Sequence, residues 1–156
     1  MTLEFQHGVE ALYAIHAERI CDDELEAWTE LYTPDCLYKL TSRLNHERGL
    51  PLSPILAESQ GALSDRVAAI RNTMVWSPRC VTHTVSGIRI VKREGNFLHT
   101  RSMFAVFQTM IDGTTMLHMV GRTFDKIAVD GISMKFAERV AIYDSELVLG
   151  SVIYPI

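Results

Sequence analysis

The segment from Arg79 to Gln108, RCVTHTVSGIRIVKREGNFLHTRSMFAVFQ, decides the fold. Val81, Val85 and Val91 alternate with Thr82, Thr84, Ser86, Ile88 and Ile90, and Phe97 to Phe107 form a second β-branched and aromatic run. Between them stands Glu94-Gly95. A polar dipeptide containing Gly between two such runs marks a hairpin, because Gly supplies the positive φ that a tight turn needs. The same signal recurs at Asp112-Gly113 and Asp130-Gly131, leading into Thr114–Val129 and Ile132–Asp144. Long alternating runs joined by these turns predict an antiparallel meander of four strands.

Upstream of the meander the period changes from strand-like to helical. Phe5, Val9, Leu12, His16 and Ile20 share one helical face over residues 4–20, with Tyr13 beside them. Asp22-Asp23 offers an N-cap for a shorter helix carrying Leu25, Trp28, Leu31 and Tyr32. Thr33-Pro34-Asp35 ends it, since Pro34 restricts Thr33 and donates no hydrogen bond. Cys36–Thr41 reads as a short strand. Residues 42–60 read as a long loop whose Leu50, Leu52, Ile55 and Leu56 need a cover. Leu63, Val67, Ile70 and Met74 mark a third helix, with Ser64 as cap, and the apolar tail LVLGSVIYPI docks on the body or on a partner. The class is α+β: helices packed on a long curved antiparallel sheet, a cone-shaped arrangement of the nuclear-transport-factor-2-like type. At 156 residues one domain, 1–156, is expected.

Composition narrows the function. A net charge of −4 gives no reason to expect nucleic acid as a partner. No apolar run approaches the ~20 residues of a membrane span, and residues 1–12 carry no secretory signal. Cys21, Cys36 and Cys80 are widely spaced and predict buried free thiols in a reducing cytoplasm. The six histidines include no H-x-H or H-E-x-x-H pattern. Phosphate-binding glycine loops and the Gly-x-Ser-x-Gly nucleophile elbow are also missing.

If the turns fix the registers, the strand faces follow. Val81, Val85, Val91, Leu98, Phe104, Val106, Leu117, Met119, Val140 and Ile142 are expected beneath the helices. Ile88, Ile90, Met103, Phe107, Val120 and Phe124 then share the other face with His99, Arg101, His118, Arg122, Arg139 and Tyr143. Arginines among apolar groups suit a subunit interface, because a planar, weakly hydrated guanidinium both pairs with carboxylates and stacks. Arg101, Met103, Arg122, Arg139, His118 and Tyr143 are its candidates. The alternative is a pocket enzyme, a dehydratase or isomerase, with Asp35 and His83 as acid and base and His16 and Tyr32 nearby.

Several segments carry a resemblance. Leu25-x-x-Trp28-x-x-Leu31-Tyr32-Thr33-x-Asp35-x-x-Tyr38, Asp65-Arg66-Val67-x-x-Ile70-Arg71, Thr84–Ile90 and Val120-Gly121-Arg122-x-x-Asp125-Lys126-Ile127 resemble, in order and spacing, the small (beta) subunits of aromatic-ring-hydroxylating dioxygenases. Asn45–Leu52 is similar to the loop of a narrower group acting on salicylate- or anthranilate-like acids, as in salicylate 5-hydroxylase and anthranilate dioxygenase. Ser86-Gly87, Lys39-Leu40-Thr41 and the single Lys126 depart from the family pattern. The resemblance implies a chiefly structural chain, without catalytic residues or cofactor of its own. It implies a large (alpha) subunit partner holding a Rieske 2Fe-2S cluster and a mononuclear iron, with electrons from NAD(P)H through separate components. It also implies a hexamer with three copies of each chain.

Overall fold

The computed structural model describes residues 3–148 and 150–156. Four helices and six strands are present among them: α1 (Leu3–Cys21), α2 (Leu25–Thr29), β1 (Tyr32–Ser42), α3 (Arg43–Glu47), β2 (Ile55–Ala57), α4 (Gln60–Asn72), β3 (Arg79–Glu94), β4 (Phe97–Met110), β5 (Thr115–Asp130) and β6 (Ser133–Tyr143). The strands form one sheet in the order β2-β1-β6-β5-β4-β3. The meander from β3 to β6 is antiparallel, as its turn glycines predict. Gly95, Gly113 and Gly131 all have positive φ. The sheet as a whole is mixed, because β1 pairs parallel to β6.

The second helix is shorter than its sequence suggests. It stops at Thr29, and Tyr32 already begins a strand. Pro34 lies inside β1 yet costs no ladder bond, because the register with β6 is interrupted between Tyr32 and Leu37. Asp23 does not cap α2 through its side chain. Its left-handed backbone, φ 60°, instead closes α1, with the Glu24 amide donating to the Arg19 carbonyl at 2.8 Å. Residues 42–60 are not one loop. Ser42 caps α3 by accepting from the Asn45 amide, and β2 adds an edge strand to β1. Ile55 is buried there, whereas Leu50, Leu52 and Leu56 stay exposed. Helix α4 is capped by Ser59 rather than Ser64, and it ends before Met74. Cys36 is buried, but Cys21 is half-buried and Cys80 exposed.

Helices α1 and α4 cover the inner face of the sheet. Val9, Leu12, Leu25, Leu63, Val67 and Ile70 meet Leu98, Phe104, Val106, Ile127 and Phe136 in one core. Burial on this scale is the main stabilising term, at roughly 25 cal/mol per Å² of apolar surface. The tail also docks: Ile153, Tyr154 and Ile156 are buried, and Arg66 donates to the carbonyls of Val152 and Ile153.

Four register shifts correct the expected faces. Gly87 (φ 61°) adds a residue to β3 between the pairs Ser86–Met103 and Arg89–Arg101. Beyond it Ile88 and Ile90 turn toward the core, and a further shift leaves Val91 half-exposed. An extra residue at His118 sends Leu117 outward beside Phe107 and leaves His118 buried. Ala137 is extra between the pairs Lys126–Glu138 and Ile127–Phe136. Past it Val140 and Ile142 lie on the outer side of the sheet with Phe124 and Arg122, Ile142 still buried, while Arg139 and Tyr143 face inward with Asp125 and Gly121. A one-residue insertion reverses every later side chain, because the strand period is two.

Candidate functional site

Two polar constellations lie on opposite faces of the sheet. The inner one is built on Asp125 of β5. Arg139 Nη1 donates to Asp125 Oδ2 at 3.1 Å, and both side chains are almost fully enclosed. The Thr123 hydroxyl donates to the same oxygen at 2.7 Å, and so does the Tyr13 hydroxyl. With those hydrogens committed, Thr100 must donate to Tyr13 and Ser102 to Thr123, each at 2.8 Å. Arg139 Nε donates to the Ile156 main-chain oxygen at 3.2 Å, and its guanidinium lies 5.2 Å from the Phe136 ring centre. Burial pushes the Asp125 carboxyl upward, and Arg139, Tyr13 and Thr123 pull against that. Burial also drives the Tyr13 phenol far above its usual range.

An aromatic cluster fills the space beside this network. Tyr13, His16, Trp28, Tyr32, Tyr38 and Phe136 pack edge-to-face or tilted, with ring centres 5.2 to 6.0 Å apart. The Trp28 indole donates to His16 Nε2 at 2.8 Å. An indole N–H is only a donor, so His16 Nε2 accepts and the ring is neutral with its proton on Nδ1. Burial, then Arg139, holds the His16 pKa well below its ordinary value. For the same reasons His83 is lowered to about 3.

The alternative acid–base set is not assembled. His16 and Tyr32 meet at 2.9 Å, but both are sealed in the aromatic cluster. His83 points to the inner side, where its Nε2 is enclosed without a hydrogen-bond partner among the described residues. Asp35 is exposed beside Lys126 and Glu138, on the opposite face from His83. No group of three or more His, Cys, Asp or Glu side chains among the described residues is placed to hold a metal ion.

The outer constellation is an open groove of about 650 Å³ along β3, β4 and β5. Arg89, Arg101 and Arg122 line it together with Met103, Val120 and Phe124. Arg101 lies over the Phe124 ring at 4.8 Å, a cation–π contact. From α3, His46 stacks on the same ring at 6.1 Å. Asp144 closes one end, held by Arg43 at 2.5 Å. Of the six residues assigned to an interface from sequence, Arg101, Met103 and Arg122 meet here. Arg139 does not, since the Ala137 bulge turned it inward; Tyr143 follows it, and His118 is buried at its own bulge. Sequence reading missed Arg89, which joins the groove only through the Gly87 bulge. It also missed His46, whose approach depends on α3.

Residues 16–149 match the family described as ring hydroxylating beta subunit. The chain belongs to that family. It is 28% identical to the anthranilate 1,2-dioxygenase small subunit of Burkholderia cepacia over 127 residues, 81% of this chain and 79% of that one. Among solved structures it is similar to the beta subunit of a candidate aromatic-ring-hydroxylating dioxygenase from Novosphingobium aromaticivorans. That match has 30% identity and a TM-score of 0.88, covering 97% and 96% of the two chains. A candidate scytalone dehydratase from the same organism shares the fold at 15% identity and a TM-score of 0.70, over 96% and 91% of the chains. A beta subunit implies an alpha-subunit partner, so this chain is one component of an oxygenase.

Proposed function

We propose that this beta subunit is a structural component of a multicomponent Rieske oxygenase that hydroxylates an aromatic acid during aromatic-compound catabolism in the cytoplasm. The filling of its interior carries this reading. Where helices and sheet leave room for a pocket, the chain has a buried network on Asp125 and Arg139 and a packed aromatic cluster. The outer face, by contrast, holds a groove lined by exposed Arg101, Met103 and Arg122, and we assign that face to subunit contact. The alpha subunit is the proposed holder of the Rieske cluster and mononuclear iron. Among the described residues no cluster of His, Cys, Asp or Glu is placed to hold either group. NAD(P)H electrons reach the alpha subunit through separate components, and three copies of each chain form the proposed assembly. The anthranilate enzyme's small subunit supports an aromatic carboxylate as the substrate class.

The test is co-expression with an alpha subunit of the same oxygenase family. An iron–sulfur partner should co-purify, and the isolated chain should turn over no aromatic acid. An activity of the isolated chain that His83→Ala abolishes would overturn the proposal.

A further inference from the structure

Arg66 of α4 is a half-buried cation that meets no carboxylate. It forms no ion pair among the described residues, and burial pulls its pKa downward. A charge withdrawn from water needs hydrogen-bond acceptors to offset the loss of solvation. For Arg66 the tail supplies them: Nη2 donates to the carbonyl oxygens of Val152 and Ile153, at 3.2 and 3.1 Å.

The sheet holds the same tail from the other side. On β1, the Tyr38 hydroxyl accepts from the Ile156 amide at 2.7 Å and donates to the Ile156 main-chain oxygen at 3.1 Å. On β6, Arg139 Nε donates to that oxygen at 3.2 Å. Just past α4, the Trp76 ring meets the Tyr154 ring edge-on, with centres 5.3 Å apart. Ile153, Tyr154 and Ile156 are buried, whereas Ser151 before them is exposed. Among the described residues no main-chain to main-chain hydrogen bond ties 151–156 to the body. The segment is therefore fastened by apolar burial and by side chains from α4, β1 and β6. Helix α4 itself packs mainly on α2, β1 and β2, and the tail gives it a link to β6.

We propose that residues 151–156 are a latch that fastens α4 to β1 and β6, and that latch and helix open as one unit while β4 and β5 stay closed. A central strand opens only by breaking main-chain bonds to both neighbours, and the latch has none to break. Proteins open locally in cooperative units whose free energies lie below that of global unfolding. Release returns the Arg66 charge to water, which offsets part of the hydrogen bonding lost. The helix follows because Arg66 in its middle and Trp76 just beyond its end are both joined to the latch. Its other polar tie, Arg71 to Asp23 and Glu26, lies at the surface, where ion pairs hold weakly. Leu63, Val67 and Ile70 leave the core with it, so the open state is sparse. In that state Tyr38 and the Arg139 guanidinium, enclosed in the closed molecule, meet water.

Hydrogen exchange of the full chain, read by mass spectrometry beside thermal melts, tests the latch. Tyr38→Phe keeps the ring that packs on Trp28 and Tyr32 and removes the hydroxyl that holds Ile156. Amides of 151–156 and of α4 should then exchange about tenfold faster, as expected for the loss of two hydrogen bonds. Those of β4 and β5 should keep their wild-type rates. Arg66→Ala, which leaves helix propensity intact, should quicken the same two segments. Faster exchange in the tail with α4 unchanged would make the tail a passive cover and overturn the proposal. Equal acceleration in every strand overturns it too, since no separate unit then exists, and so does a tail whose exchange neither variant alters. If the melt shows Tyr38→Phe unfolded, the exchange pattern of Arg66→Ala decides between the same outcomes.

Discussion

Arg139 and Arg122 stand on neighbouring strands, yet their surroundings are opposite. Arg139 is enclosed between sheet and helix, with Asp125, the Ile156 oxygen and two aromatic rings around it. Arg122 is exposed, with no carboxylate bound among the described residues. Residue type does not separate them. The bulge at Ala137 does, because without it Arg139 would pair with Phe124 on the outer face. An arginine on this sheet is therefore enclosed or exposed according to the count of residues before it.

The contrast is most easily broken from the inside. Arg139→Ala leaves Asp125 buried without its cation, and a lone buried charge of this kind costs about 3–5 kcal/mol. Urea unfolding should show that loss. Removing Asp125 as well should cost less than the sum of the two single changes, because the second change removes the stranded charge. Simple additivity would mean that the pair is not coupled.

Gly121 tests the strand contact that separates the faces. A Cβ added there would lie 2.0 Å from the Ile142 carbonyl oxygen, a backbone atom that no rotamer change can move. Gly121→Ala should force β5 and β6 apart at a cost of roughly 2–3 kcal/mol, within the range for overpacked sites. The melting temperature reads this directly. An unchanged melt would show that the two strands are not held this close.

Acid should act on the inner face. His83 is lowered to about 3 in the folded chain, against an ordinary value near 6.5. Between those values the unfolded chain binds a proton that the folded chain refuses, so stability falls as pH drops. The loss from pH 7 to pH 5 is roughly 2 kcal/mol for such a ring. His16 is lowered for the same reason and adds to the effect. His83→Leu should reduce the slope of stability against pH. It should cost little at pH 7, since Nε2 has no partner to lose among the described residues. An unaltered slope would place the acid sensitivity elsewhere.

Much of this division was legible beforehand, and the side chains placed on the wrong face have one cause. Helical spacing found α1 and α4, and the glycine turns found the four-strand meander. Val81, Leu98, Phe104, Val106 and Met119 are buried as read, and Arg101 and Met103 face outward. The misassigned residues, Ile88, Ile90, Val91, Leu117, His118, Arg139, Val140, Ile142 and Tyr143, lie at or beyond a bulge. Counting from a turn assumes an unbroken period of two, and one inserted residue defeats it. Gly87 was the available warning, since an isolated glycine in a strand often marks a bulge. Ala137 gave none. The parallel pairing of β1 with β6 was hidden for a different reason, because it joins segments about a hundred residues apart and leaves no local pattern.

The smallest effect on folding belongs to the outer arginines, and it sharpens the contrast most. Arg101 is exposed and makes its one described contact with the Phe124 ring. Arg101→Ala should change folding stability by less than about 0.5 kcal/mol, as surface substitutions do. On the proposed assignment of this face to subunit contact, assembly should respond more, because the change removes a charge and a stacking surface together. Melting and sedimentation of the same variant separate the two roles. Normal assembly with normal stability would make Arg101 an ordinary surface residue. Lost stability with normal assembly would make it a second Arg139, and the functional distinction between the faces would fail.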